Sequence, residues 1–119
     1  MDLILPDGFR LVFPVYTFVS PGPDGRPYVE PVAYPRVGDT VAVYTDRDLA
    51  ERAAALTGAD GLGLMPVPGP DELKAVVGHY LARGVGHVSI DVCTTAGGPS
   101  GHIRPAGDIL DGRPDAPAD

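Results

Sequence analysis

The sequence predicts an α/β chain of the α+β kind: a β-hairpin followed by β-α-β-α-β, giving a mixed five-stranded sheet with two helices on one face. Residues 9–19 (FRLVFPVYTFV) and 28–34 (YVEPVAY) are aromatic and β-branched and flank an Asp24-Gly25 reversal, which together read as a long hairpin. Residues 40–44 (TVAVY), 62–67 (LGLMPV) and 87–92 (HVSIDV) are short apolar runs separated by two amphipathic patterns of helical period. Strand and helix therefore alternate in the second half, which implies a parallel three-stranded unit with right-handed crossovers.

In the hairpin, Pro14 and Pro31 each lack the N–H that an inner ladder position needs, so both arms are placed at an edge or are broken by a bulge. After the run 40–44, Thr45 stands at the N-cap position with Asp46 and Asp48 in the first turn, and a helix over 46–57 follows. Leu49, Ala53 and Leu56 share one face of it, and Gly58 suits its C-terminal end. Pro70 fits the first position of the second helix, with Asp71 and Glu72 behind it. Leu73, Val76, Val77, Tyr80 and Leu81 form its expected buried stripe, and Gly84 ends it. In the last run Val88, Ile90 and Val92 alternate with His87, Ser89 and Asp91, which predicts one buried and one solvated face.

Composition changes after Cys93. The 119-residue chain holds 16 Gly and 14 Pro. Nine of these fall in residues 94–119, where Ile103, Ile109 and Leu110 are the large aliphatics. Such a segment by itself buries too little to offset an ordering cost of about 1–2 kcal/mol per residue. Residues 1–93 are therefore expected to form a single α/β domain, and 94–119 a disordered, acidic Gly/Pro-rich tail.

The formal charge is −7, and the nine Lys and Arg residues stand singly along the chain. Phosphate backbones and anionic lipid surfaces both require clustered cations, so neither nucleic acid nor membrane is an expected partner. No apolar run approaches the roughly 18–20 residues that cross a bilayer, and the start MDLILPDGF lacks a basic, long-cored leader, so a cytoplasmic location is expected. Cys93 is the single cysteine and leaves no internal disulfide.

Catalytic and ligand signals are sparse. The strand-to-helix turn at 44–48 has no glycine and that at 66–71 is rich in proline, so neither forms a phosphate-binding loop and no cofactor is expected. His79, His87, Asp91, Cys93 and His102 lack the close pairing of zinc ligands, and no metal is expected. Ser89, His87 and Asp91 share one face of a strand, but side chains at i and i+2 stand about 6.6–7 Å apart, beyond the contact a triad needs. The residual enzyme candidate is Cys93 as nucleophile beside His87 or His102. A small ligand would lie at the C-terminal strand edge, in a crevice of Thr45, Asp46, residues 67–69 and residues 93–95. A protein partner or a second copy would meet exposed aromatics of the hairpin: Phe9, Phe13, Tyr16, Phe18, Tyr28 and Tyr34.

Over residues 28–92, the strand ending in Val43-Tyr44-Thr45-Asp46, the Asp48-Leu49-Ala50 helix start and the run LMPVPGPDELKAVV resemble the N-terminal module of SseB-like proteins, small bacterial α/β domains. The resemblance implies a role in protein interaction and brings no catalytic residues with it. The functional expectation is a non-catalytic bacterial protein-interaction or accessory module. Its alternatives are a small-ligand sensor at Thr45 and a Cys93 enzyme.

Overall fold

A computed structural model describes residues 2–25, 27–34, 36–57, 63–95 and 98–115. The chain opens with two short strands, β1 (Asp2–Ile4) and β2 (Arg10–Val12). They pair antiparallel through Leu3↔Leu11. Pro14 then interrupts the predicted first arm, and the ladder resumes as β3 (Val15–Pro21). The expected reversal follows, with Gly25 at φ 80° and its N–H donating to the Gly22 carbonyl at 3.0 Å. The second arm is divided before Pro31 into β4 (Pro27–Val29) and β5 (Val32–Tyr34).

That division has a geometric use. Strand β6 (Gly38–Tyr44) pairs with the start of β3 through Tyr16↔Tyr44 and Thr17↔Val43. Further along, β4 takes over the same edge of β3 through Val19↔Val29, while β5 turns to pair with the start of β6 through Val32↔Thr40. The segment 27–34 thus fills the wedge between two diverging strands.

Helix α1 (Arg47–Thr57) leads to β7 (Gly63–Val67), and helix α2 (Pro70–Leu81) leads to β8 (His87–Thr95). β8 lies parallel to β6, from Thr40↔His87 to Val43↔Ile90. β7 does not join this parallel unit. It runs antiparallel to β3, from Val15↔Val67 to Val19↔Gly63. Tyr16 pairs with both Tyr44 and Pro66, so β6 and β7 occupy opposite edges of β3. Pro66 has no N–H to give to an inner ladder, and an edge strand accommodates it. The architecture is a mixed α+β fold, with a single parallel pair among the described strands.

The helices lie on both sides of the sheet, which corrects the expected one-faced arrangement. Val41 and Val43 of β6 join Leu73 and Val77 of α2 in the larger core, with Val15, Val88 and Ile90. Ala42 and Tyr44 point the other way, into a smaller core with Phe18 and with Ala50, Ala53 and Ala54 of α1. The alternation of β6 supplies both cores, because successive side chains of a strand point to opposite faces.

Residues 94–95 and 98–115 do not form the disordered tail that composition predicts. Strand β8 continues to Thr95, β9 (Gly98–Pro105) pairs antiparallel with it, and helix α3 (Ala106–Leu110) and strand β10 (Arg113–Asp115) follow. Ile109 is fully buried in the larger core and Ala106 lies beside it. β10 pairs with β1, bringing the two ends of the described chain together. The entropy argument treated the segment alone, whereas it lies on the edge and face of a sheet already assembled. Residues 96–97 and 116–119 of that predicted tail lie outside the described residues, as do 58–62 of the loop after α1. The folded unit extends at least to Asp115, and no described helix is long and apolar enough to cross a membrane.

Side-chain contacts fasten β9 to the β1–β2 turn. Arg104 forms an ion pair with Asp7 and lies over the Phe9 ring at 5.3 Å. His102 packs on the same ring at 5.1 Å. The Phe9 backbone N–H, donating at 3.1 Å, and then the Arg104 guanidinium hold the Asp7 carboxyl below its ordinary 3.8.

If Ile109 anchors the C-terminal segment, Ile109→Ala lowers the free energy of unfolding in urea by about 2–5 kcal/mol. A change below about 0.5 kcal/mol, as at an ordinary surface position, would return the segment to the status of a tail.

Candidate functional site

The C-terminal ends of β6 and β8 form the edge where the sequence places a ligand. A register shift between Ile90 and Cys93 puts a bulge in β8, and Asp91 sits in it at φ 54°, in the left-handed region that Asp tolerates better than most residues. Its carboxylate reaches the neighbouring strand. It accepts the Thr45 backbone N–H at 2.8 Å and the Thr45 hydroxyl at 2.8 Å. Thr45 is therefore clamped to β8 and does not cap the helix. Asp46 is the cap: its Oδ1 accepts the N–H groups of Asp48 at 2.7 Å and Leu49 at 3.3 Å.

Thr45 and Asp46 do line an open groove of about 370 Å³, together with Phe13, Pro14, Tyr16 and Arg47. Residues 67–69 are not part of it. With β7 on the far edge of β3, Val67 pairs with Val15, and β3 lies between it and Thr45. The side chains of Cys93, Thr94 and Thr95 lie outside the described residues.

The two histidines named as alternatives beside Cys93 lie on opposite faces of the β8–β9 ladder. His102 pairs with Ile90, so the pleat puts it on the side of the larger core, where it packs on Phe9. His87 has the opposite parity and shares the side of Ser89. At most one of the two histidines can accompany Cys93 on a given face. Ser89 is buried rather than solvated, and its hydroxyl lies 2.9 Å from that of Thr40. Thr40 donates its one proton to the Val32 carbonyl at 2.8 Å, so Ser89 is the donor to Thr40. This relay settles two buried hydroxyls. No group of three or more His, Cys, Asp or Glu side chains converges among the described residues.

The aromatic set expected to form an interaction surface divides three ways. Phe18 and Tyr34 are interior, a correction with a simple cause: Phe18 lies on the α1 side of β3 and packs at a tilt against Tyr44, ring centroids 5.4 Å apart, and Tyr34 ends β5 under cover. Phe13 and Tyr16 are half-buried at the Thr45 groove. Only Tyr28 is largely exposed, at 46%.

Tyr28 borders a second groove that sequence reasoning missed. It is a mainly apolar hollow of about 310 Å³, walled by Val29, Met65 and the α2 residues Ala75, Val76, His79 and Tyr80. The Tyr80 hydroxyl donates to the Val29 carbonyl at 2.5 Å, tying helix to strand, and burial pushes its phenol above the usual 10.0. His79 is exposed and packs edge-on against Tyr80 at 5.2 Å. A signal for this groove existed. The apolar stripe predicted for α2 has five members, but Leu73 and Val77 alone among them are fully buried, while Leu81 is exposed. The stripe is wider than its cover, and Val76 and Tyr80 make its half-covered shoulder.

The chain matches no protein-family profile, no curated protein and no solved structure.

The capping geometry predicts that Asp46→Ala lowers stability by about 0.5–2 kcal/mol in chemical denaturation, through two unsatisfied helix N–H groups. Asp46→Asn retains an acceptor oxygen and should recover most of that loss; equal losses for both variants would contradict the cap.

Proposed function

We propose that this chain is a non-catalytic protein-interaction or accessory module that takes an apolar segment of a partner protein in the Tyr28–Tyr80 groove. The carrying observation is the contrast between two grooves. At Thr45 and Asp46 the Thr45 N–H and hydroxyl and one carboxylate oxygen of Asp46 are already engaged in bonds to Asp91 and to the α1 backbone. At Tyr28, by contrast, an exposed ring, a methionine and a helix shoulder leave apolar surface open. Aromatic rings and methionine supply large, adaptable contact area, the usual material of protein interfaces. The resemblance of residues 28–92 to SseB-like modules supports the same reading, and the groove residues Tyr28 and Val29 and helix α2 fall inside that range.

On this reading the protein acts in the bacterial cytoplasm, with another protein or a second copy as partner. The charge of −7 and the dispersed cations favour such a partner over nucleic acid or an anionic membrane. The small-ligand alternative keeps one observation in its favour, the groove at Thr45, and a thermal-shift screen of metabolites comparing the wild type with Phe13→Ala tests it. The enzyme alternative rests on Cys93 and is removed if Cys93→Ala retains every activity measured.

The interaction reading predicts that Tyr28→Asp, at an exposed position, leaves the unfolding transition within about 0.5 kcal/mol of wild type. It also predicts that proteins retained from the native cytoplasm by the immobilised chain are lost with Tyr28→Asp and kept with Thr45→Val. An identical retained set for all three chains would overturn it.

A further inference from the structure

We propose that the hollow between the β1–β2 turn and the end of α3 binds an α-amino acid with an aliphatic side chain, whose carboxylate meets Arg113 and whose ammonium meets Asp111. The hollow holds about 520 Å³ and is lined by Ile4, Leu5, Pro6, Gly8, Asp111 and Arg113. That volume falls within the roughly 300–1,000 Å³ of small-molecule sites. It shares no lining residue with the Tyr28 or the Thr45 groove, and the inference stands independently of the reading above.

Both walls are held in place by the fold itself. On one side the Leu5 N–H donates to the Phe9 carbonyl and the Gly8 N–H to the Leu5 carbonyl, each at 2.9 Å, which closes the turn. Gly8 sits at φ 90°, a conformation that favours glycine, and it adds no side chain to the hollow. On the other side Gly112 is pinned between the two charged residues. A Cβ there would lie 3.0 Å from two side-chain atoms of Leu3 and 3.2 Å from the Ile109 carbonyl, and the Lys74 ammonium donates to the Gly112 carbonyl at 2.6 Å. The Asp111 N–H donates to the Gly107 carbonyl at 2.8 Å, and Arg113 is paired with Ile4 in the ladder of β10 to β1. A backbone preformed in this way loses little freedom when a ligand binds.

The charges select the ligand. Asp2 and Asp7, on β1 and in the turn after it, are paired with Arg10 and Arg104. The side chains of Asp111 and Arg113, by contrast, have no hydrogen-bond or ion-pair partner among the described residues. Two residues of chain keep their Cα atoms within about 7 Å of each other. One anion and one cation thus stand on a single pinned turn, facing the apolar wall of Ile4, Leu5 and Pro6. A molecule with ammonium, carboxylate and an aliphatic group on one carbon answers all three. The guanidinium offers the carboxylate two parallel N–H donors, and the Asp111 carboxylate accepts from the ammonium. A simple cation or a simple anion satisfies one of the two charges and lies beside its like. Occupancy also joins the N-terminal turn to the C-terminal segment, so it stabilises the folded chain.

The test titrates the full chain with L-leucine and reads amide resonances. Those of Leu5, Gly8, Asp111, Gly112 and Arg113 should shift together and saturate, with the amides of α1 unmoved. Glycine lacks the aliphatic group, N-acetyl-leucine the ammonium and leucinamide the carboxylate, and each should bind about tenfold more weakly than leucine. Asp111→Asn should remove the preference for leucine over N-acetyl-leucine, and Arg113→Gln should weaken leucine about tenfold, both with the ligand-free thermal midpoint unchanged. No saturable shift of these five amides up to about 10 mM leucine overturns the proposal. So does equal affinity of the wild type for leucine and N-acetyl-leucine, or an affinity for leucine that Arg113→Gln leaves unchanged.

Discussion

Residues 40–44 of β6 are each at most 1% exposed, so this strand must be covered on both faces and paired on both edges. A strand in that position leaves no polar group free to reach water. Val41 and Val43 require α2, α3 and the small sheet above them; Ala42 and Tyr44 require α1 below. One edge is taken by β8 and the other is shared by β3 and β5. The two polar side-chain groups of residues 40–44, the hydroxyls of Thr40 and Tyr44, reach the carbonyls of Val32 and Val92 respectively. A third hydroxyl, that of Ser89, is held by the same Thr40 and completes the buried polar network.

The same constraint explains why the C-terminal segment is ordered. Once β8 lies beside β6 with both of its faces covered, its outer edge offers a row of backbone groups. β9 satisfies them, and α3 delivers Ile109 to the larger core. Pro99 and Pro105, which look like signs of disorder in the sequence, are compatible with an outermost strand. The functional consequence is a division of labour along the chain. The interior supplies a rigid frame, and the Tyr28 groove lies on the margin of that frame, where cover is incomplete.

Local patterns were readable in the sequence to the degree that they depend on neighbours in the chain. The Asp24-Gly25 turn, the helix from Pro70 and the strand-to-helix joint at Thr45 all stand where residue chemistry places them. At that joint the roles moved by one residue: Asp46 caps, and Thr45 bonds to Asp91, a partner 46 residues away. Pairing was not readable, because apolar content decides that 63–67 is a strand but says nothing about which edge it joins. The two-sided burial of β8 was also hidden. Ser89 looks like a solvated position in an alternating strand, and only its hydroxyl contact with Thr40 makes an interior place tolerable. Composition misled most strongly after Cys93, since averaging over Gly and Pro concealed that Ile109 needs just one core to join. For the site, exposed aromatics could be nominated but not sorted, because Phe18 and Tyr28 differ in nothing local that predicts which is buried.

The central claim is that the frame built on β6 includes β8 and β9 as one cooperative unit. Native-state hydrogen exchange tests it directly, by comparing the opening free energies of amides bonded between β6 and β8 with those of amides bonded between β8 and β9. The account predicts that both sets approach the global unfolding free energy, with the β9 amides of His102 and Arg104 among the slow ones. Exchange of the β9 amides near the rate of an unstructured peptide, with β6 still protected, would contradict it.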